Sequence, residues 1–152
     1  MQTILRVVIA DSNESFAREL KDYLEEHGNY TVVGVSGDGE QVVELVEQTG
    51  ADMLILDPML TQLDGIGVLE ALQSGSVHPT VLVTATFSSA YLAQRLTELG
   101  VGGFLLKPCR LEGVLRNLNM LRDANLEPPE ARKGSLIETL VTNVIHEIGV
   151  PA

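Results

Sequence analysis

Short apolar runs alternate with amphipathic stretches along most of the chain. Five runs are rich in Val, Ile and Leu, which is typical of strands buried on both faces of a parallel sheet. They occupy 4–10, 30–35, 53–56, 80–85 and 103–106. A segment with apolar residues at helical spacing follows each run, and this alternation predicts βαβ units with right-handed crossovers. We therefore expect an α/β domain over 3–123, a doubly wound five-stranded parallel sheet with helices on both faces.

Cap and stop residues indicate where the predicted helices begin and end. Ser15 is the predicted N-cap of the first helix, and Ser12 is a second candidate for that role. Glycines end three of the helices, at Gly28, Gly50 and Gly100. The last two helices of the domain are predicted at 90–99 and 111–121.

The chain changes character after this domain. Residues 124–134 are mostly polar and include two adjacent prolines, which predicts a linker. Residues 135–152 again carry apolar residues at helical spacing, and Ser135 with Glu138 has the spacing of a capping box. Because this apolar helix has nothing after it to pack against, we expect 135–152 to be the start of a truncated second domain.

Composition narrows the classes of function. The 152 residues are 45% hydrophobic and 20% charged, as in soluble globular proteins. A net charge of −11 argues against binding of nucleic-acid phosphates by this segment. The single cysteine, Cys109, excludes an internal disulfide. No apolar stretch reaches the ~18 residues of a membrane span, so we expect a cytoplasmic protein without a membrane partner.

Polar side chains lie at the ends of four of the predicted strands: Asp11, Asp57, Thr84 and Lys107. Since ligands of doubly wound sheets bind at the carboxyl ends of the strands, we expect these groups to share one edge. Two carboxylates suit Mg²⁺, and a lysine and a threonine suit phosphoryl oxygens. The set predicts phosphoryl transfer with Asp57 as the nucleophile, which would give an aspartyl phosphate.

The motifs around these residues resemble receiver domains of two-component response regulators. The resemblance covers 4–122 and includes Ile-Ala-Asp at 9–11, Leu-Ile-Leu-Asp at 54–57, Leu-Asp-Gly at 63–65, Val-Thr-Ala at 83–85 and Phe-Leu-Leu-Lys-Pro at 104–108. It implies the flavodoxin-like receiver fold. It also implies a signalling domain rather than an enzyme, with at most self-catalysed phosphotransfer and dephosphorylation.

The resemblance assigns roles to the acidic residues of the site and to the backbone carbonyl of Met59. Asp57 is the expected phosphoacceptor, and Asp11, Asp57 and the backbone carbonyl of Met59 are the expected Mg²⁺ ligands. Ser12 stands where the family usually has a second acid. Because a hydroxyl is a poorer ligand than a carboxylate for a hard cation, we expect weakened Mg²⁺ binding.

The same resemblance implies a switch and its partners. Thr84 and Lys107 are expected to contact the phosphoryl group, with Thr84 and Phe104 as the switch residues. The implied phosphodonor is a histidine kinase or a phosphotransferase. The implied output is a homodimer through the fourth helix, fifth strand and fifth helix.

The segment after the phosphoacceptor departs from the family. Pro58 follows Asp57 directly and offers no N–H, while Leu60 and Thr61 stand where Met and Pro are usual. An alternative is therefore a degenerate receiver, with weak or absent Mg²⁺-dependent phosphorylation, that acts through protein contacts and dimerisation alone.

The last eight residues carry a second resemblance. Ile-His-Glu-Ile-Gly-Val-Pro-Ala at 145–152 is similar to the opening of the DNA-binding effector domain of stage 0 sporulation regulators in spore-forming bacteria. The segment Leu-Asp-Gly-Ile-Gly-Val-Leu at 63–69 agrees with them. The resemblance implies a transcription regulator of sporulation that binds DNA only through its missing effector domain.

Two other classes of function fit the sequence poorly. A flavin or nucleotide binder is disfavoured, since Gly37-Asp38-Gly39 lacks the third glycine of a dinucleotide fingerprint and precedes the second helix. A metabolic enzyme is disfavoured because no His or Cys accompanies the strand-end groups.

Overall fold

The computed structural model describes residues 3–86 and 89–124. The strands are β1 (Leu5–Ala10), β2 (Tyr30–Ser36), β3 (Met53–Leu56), β4 (Thr80–Ala85) and β5 (Gly103–Leu106). The helices are α1 (Glu14–His27), α2 (Gly39–Thr49), α3 (Gly65–Gln73), α4 (Ala90–Glu98) and α5 (Leu111–Ala124). The predicted linker, from Asn125 onward, and the predicted helix at 135–152 lie outside the described residues.

The sheet has the order β2-β1-β3-β4-β5, and its described pairings are parallel. This order is that of the flavodoxin-like fold, in which the strand order reverses between β1 and β3. The predicted doubly wound α/β fold is therefore confirmed. The described part of the chain contains no helix long and apolar enough to cross a membrane.

The contacts divide the chain into two compact units, with the boundary between Val81 and Leu82 inside β4. In the first unit α1 packs on β1 and β2, and α2 packs on β1, β2 and α3. In the second unit α5 packs on β5. The apolar run 7–10 of β1 and the whole of β3 are buried, as their sequence predicts.

The start of α1 corrects a prediction. Asn13, rather than Ser15 or Ser12, is the N-cap: its side-chain oxygen accepts a hydrogen bond from the N–H of Phe16 at 3.1 Å. Asn is as good a cap as Ser, and its position lets the helix begin at Glu14, which leaves Ser15 inside the first turn. Ser12 precedes the cap, and its side chain is exposed.

The other helix ends lie close to the predicted positions. Gly28 and Gly50 are the C-caps of α1 and α2. Gly100 follows the C-cap Leu99 and has a φ of 86°, which glycine adopts without strain. Ala124, predicted as the first residue of the linker, is the last residue of α5.

Candidate functional site

Asp11 and Asp57 extend two paired strands by one residue. Ala10 on β1 is in register with Leu56 on β3, and the N–H of Asp57 donates to the carbonyl of Ala10 at 2.9 Å. Both side chains are buried, at 3% exposure for Asp11 and 6% for Asp57. The first unit therefore brings two buried acids to the point where the strand order reverses, which is where ligands bind in this class of sheet.

Backbone N–H groups orient both carboxylates. An oxygen of Asp11 accepts from the N–H of Asn13 at 2.8 Å. An oxygen of Asp57 accepts from the N–H of Met59, also at 2.8 Å. Each acid thus forms an Asx-turn, in which an Asp side chain accepts a hydrogen bond from the backbone N–H two residues later. These bonds hold the carboxylates in place and fix the first residues of both loops.

The first unit offers Mg²⁺ a small set of oxygen ligands that fits this ion. Mg²⁺ is commonly held by one or two carboxylates and keeps several waters, which suits Asp11, Asp57 and the carbonyl of Met59. Among the described residues, no group of three or more His, Cys, Asp or Glu side chains could hold a metal ion. Ser12, next to Asp11, is exposed and carries no carboxylate.

An open cavity of about 520 Å³ lies beside Asp11 in the first unit. Its lining combines acids and bases with uncharged residues of β2, of α2 and of the turn between them. The charged lining residues are Asp11, Glu14, Arg18, Lys21 and Asp38. Glu14, at the first position of α1, therefore shares a cavity with Asp11.

Thr84 and Lys107 occupy corresponding ends of β4 and β5 in the second unit. The N–H of Lys107 donates to the carbonyl of Ala85 at 2.7 Å, and a cis peptide bond links Lys107 to Pro108. Thr84 is fully buried, and its hydroxyl has no hydrogen-bond partner. A buried unpaired polar group costs about 1–3 kcal/mol, so Thr84 is a structural liability that a functional role would explain.

Phe104 lies on β5 opposite Val83 of β4 and is 2% exposed. Its side chain is therefore part of the core. The family resemblance implies an aromatic switch residue at this place, and the sequence gives no information on its orientation.

The turn before α2 supports the loop between β3 and α3 in a way that the sequence does not indicate. Thr61 lies in the loop that begins at Asp57. It forms backbone hydrogen bonds with Gly37 and Gly39 and an isolated β-bridge with Asp38. The only signal in the sequence was the departure from the family at Thr61. The sequence gives no sign of its partner, a backbone carbonyl in a different loop.

Comparison with known proteins agrees with this geometry. The response regulator receiver domain family matches residues 7–119. The signal receiver domain of NarL from Mycobacterium tuberculosis, described as a response regulator, is 25% identical, with a TM-score of 0.73 and coverage of 80% of this chain and 98% of that one.

Two further solved structures are similar to this chain. The signal receiver domain of a modulated diguanylate cyclase from Desulfovibrio desulfuricans is 26% identical, with a TM-score of 0.71 and coverage of 82% of this chain and 99% of that one. A DNA-binding response regulator of the LuxR family from Staphylococcus aureus is 18% identical, with a TM-score of 0.72 and coverage of 77% and 98%, which shows the fold alone. Since the family match spans most of the sequence and both paired acids, the chain belongs to the response regulator receiver domain family.

Proposed function

We propose that this receiver accepts a phosphoryl group on Asp57 and thereby controls a DNA-binding effector domain. The observation that carries the proposal is the Asp57 carboxylate itself. It is 6% exposed, directed by the N–H of Met59, and set beside the end of the strand that leads into Asp11. A buried acid held in this way, where the strand order of the sheet reverses, is suited to reaction with a ligand rather than to solvation.

The proposed donor is a phosphohistidine on a histidine kinase or phosphotransferase. An oxygen of Asp57 attacks the phosphorus, an O–P bond forms, and the N–P bond to the donor histidine breaks, with the imidazole taking up a proton as it leaves. Phosphoryl transfer needs mainly positioning and charge neutralisation. Asp11, Asp57 and the Met59 carbonyl would hold Mg²⁺, which neutralises phosphoryl charge when bound. Lys107 would supply a further positive charge.

Thr84 and Phe104 form the proposed switch. The unpaired hydroxyl of Thr84 gains a hydrogen-bond acceptor when a phosphoryl group is present, and this gain favours one of two arrangements of the second unit. Tyr91 on α4 and Met120 on α5 are 75% and 60% exposed. Large exposed apolar side chains on these two helices support the proposal that α4, β5 and α5 form the surface through which activated receivers dimerise.

The proposed effector domain and its role in sporulation are inferred from the sequence. The segment 145–152 resembles the opening of the effector domain of stage 0 sporulation regulators. We therefore include in the proposal a cytoplasmic regulator of sporulation genes, with DNA bound by the effector domain and not by this acidic receiver.

A labelled phosphodonor tests the central step. The expected result is a hydroxylamine-sensitive label on the wild-type receiver and none on Asp57→Asn. Asp64→Asn is the matched control, because Asp64 caps α3 through an oxygen that accepts from the N–H of Gly67, and an Asn side chain caps equally well. A label that persists in Asp57→Asn, or is absent from the wild type with both kinase and phosphotransferase donors, would overturn the proposal.

The second candidate is a degenerate receiver that signals by contacts alone. Ser12 in place of an acid, and the absence of a three-residue metal-binding group among the described residues, favour it. It predicts a dimer that does not respond to phosphodonors, so the same labelling experiment, followed by sedimentation, separates the two candidates.

A further inference from the structure

The loop between β3 and α3 is tied to the turn before α2 by Thr61. The N–H of Thr61 donates to the carbonyl of Gly37 at 3.0 Å. The hydroxyl of Thr61 donates to the same carbonyl at 3.1 Å, across 24 residues of sequence. Both donors therefore come from one residue, and both meet one acceptor on a different loop.

A third hydrogen bond completes this contact. The N–H of Gly39 donates to the carbonyl of Thr61 at 2.9 Å, so Thr61 and Asp38 form an isolated parallel bridge. Proline, the usual residue of the family at this place, has neither an N–H nor a hydroxyl. Two of these three bonds thus depend on the departure from the family pattern.

The turn before α2 also lies against the loop that follows β1. A Cβ added at Gly37 would come 2.8 Å from the Cα of Ser12, which shows how closely the two backbones approach. Ser12 is the neighbour of Asp11 and Thr61 belongs to the loop of Asp57. The turn is therefore in contact with the segments that carry both acids.

The Thr61 contact holds a conformation that the loop would not keep by itself. Gln62 has a φ of 68°, and the N–H of Leu63 donates to the carbonyl of Thr61 at 2.7 Å. This combination is that of the classic γ-turn, which is rare and strained. Strained residues persist when the surrounding structure over-determines them, and the bonds of Thr61 to Gly37 and Gly39 supply that constraint.

Met59 lies between two fixed points of this loop. On one side its N–H is bonded to Asp57, and on the other Thr61 is bonded to Gly37. The N–H of Gly65 donates to the carbonyl of Pro58 at 2.8 Å and closes the loop. The peptide groups around Met59 are therefore held before any ligand arrives.

We propose that Thr61 is a positioning residue that sets the Mg²⁺ affinity of the phosphoacceptor site. It acts by pre-ordering the Met59 carbonyl and Asp57. This pre-ordering offsets the loss of the acidic ligand for which Ser12 stands. This inference rests on the proposed function of Asp57 for its purpose, but its physical effect is on cation binding. A group held in its bound conformation loses less conformational freedom on binding, and the affinity rises accordingly.

Four variants test the role of Thr61. Thr61→Pro removes both donors, Thr61→Val removes only the hydroxyl, and Thr61→Ser keeps both. Thr49→Val is the matched control, because the hydroxyl of Thr49 donates within α2 to the carbonyl of Leu45 at 2.6 Å. The readouts are the Kd for MgCl₂ by calorimetry without phosphodonor, the hydrogen exchange of the Gly39 amide, and the denaturation midpoint.

The expected Mg²⁺ Kd rises about threefold in Thr61→Val and about tenfold in Thr61→Pro, in line with the net worth of one and two hydrogen bonds. Thr61→Ser and Thr49→Val keep the wild-type value. Gly39 amide exchange accelerates in the order of the Kd values. A purely structural role would lower the denaturation midpoint in Thr61→Val and Thr49→Val alike, with no change in Kd.

An unchanged Kd in Thr61→Val, or a wild-type protein with no measurable Mg²⁺ binding, would overturn the inference. Phosphoryl labelling of the same proteins keeps the two proposals apart. Thr61-dependent Mg²⁺ binding without any label on Asp57 contradicts the proposed function alone. A labelled Asp57 with Mg²⁺ affinity independent of Thr61 contradicts only the positioning role.

Discussion

Gly39 lies directly against the backbone of Leu63: a Cβ added to Gly39 would come 1.8 Å from the Leu63 carbonyl oxygen. Gly39 is the first residue of α2, and Leu63 belongs to the loop between β3 and α3, so this approach joins α2 to that loop. A side chain at position 39 can be accommodated only if one backbone moves, because the atom in the way is not the end of a flexible side chain.

Gly39→Ala is therefore expected to destabilise the receiver by about 1–3 kcal/mol, the usual cost of overpacking. The measurement is the free energy of unfolding in urea. Gly113→Ala on α5 is the control, since a Cβ there meets only a side-chain nitrogen of Arg116 at 4.0 Å. It should stabilise by about 0.5–1 kcal/mol through helix propensity. Equal effects of the two substitutions would contradict the close approach.

Ser12→Asp is expected to tighten Mg²⁺ binding by about tenfold or more, since it places a third carboxylate beside Asp11. Calorimetric titration with MgCl₂ gives the Kd directly. Ser15→Asp adds the same charge at an exposed position in the first turn of α1, and its Kd should stay within about twofold of the wild type. If both variants tighten binding equally, general acidity rather than a restored ligand is responsible.

Thr84→Val is expected to leave the free energy of unfolding unchanged or to raise it by about 1 kcal/mol, because it removes a buried hydroxyl without a partner. The same variant should lose the dimerisation that a phosphoryl mimic such as beryllofluoride induces. Thr97→Val serves as the control on α4, where the hydroxyl donates to the carbonyl of Ala93 at 2.8 Å. A clear loss of stability in Thr84→Val would show that its hydroxyl is bonded after all.

Tyr91→Glu is expected to weaken the beryllofluoride-induced dimer by about tenfold or more, as loss of a central aromatic contact does at many interfaces. Sedimentation velocity over a range of concentrations gives the dimer Kd. Ile4→Glu removes another large exposed apolar side chain, 62% exposed, from the other unit, and should leave that Kd unchanged. Dimers insensitive to Tyr91 would place the interface on a different surface.

The fold was predictable from the sequence because its strands are distinctive. Met53–Leu56 is wholly apolar, as a central parallel strand requires, and glycines end α1 and α2 where the pattern changes. The start of α1 was less predictable, since Ser12, Asn13 and Ser15 are all competent caps. Only the hydrogen bond to Phe16 distinguishes Asn13.

The site was predictable only as a set of residue types. Asp11 and Asp57 each follow an apolar run directly. In any parallel sheet of this strand order, residues in that position lie at the carboxyl edge of the sheet. The bond from Thr61 to Gly37 leaves no trace in the sequence, because its acceptor is a main-chain oxygen in another loop. The missing partner of Thr84 is likewise a property of packing and not of pattern.

Asp11 supports the start of α1 as well as belonging to the proposed Mg²⁺ site, and genetic tests of this receiver will have to separate the two roles. Its carboxylate holds the N–H of Asn13, and Asn13 in turn caps α1. An alanine at position 11 would therefore loosen a whole helix as well as remove a charge, and a signalling defect in such a strain would be ambiguous. Asp11→Asn keeps an acceptor for that N–H and removes only the charge, so it is the allele whose phenotype reports on chemistry.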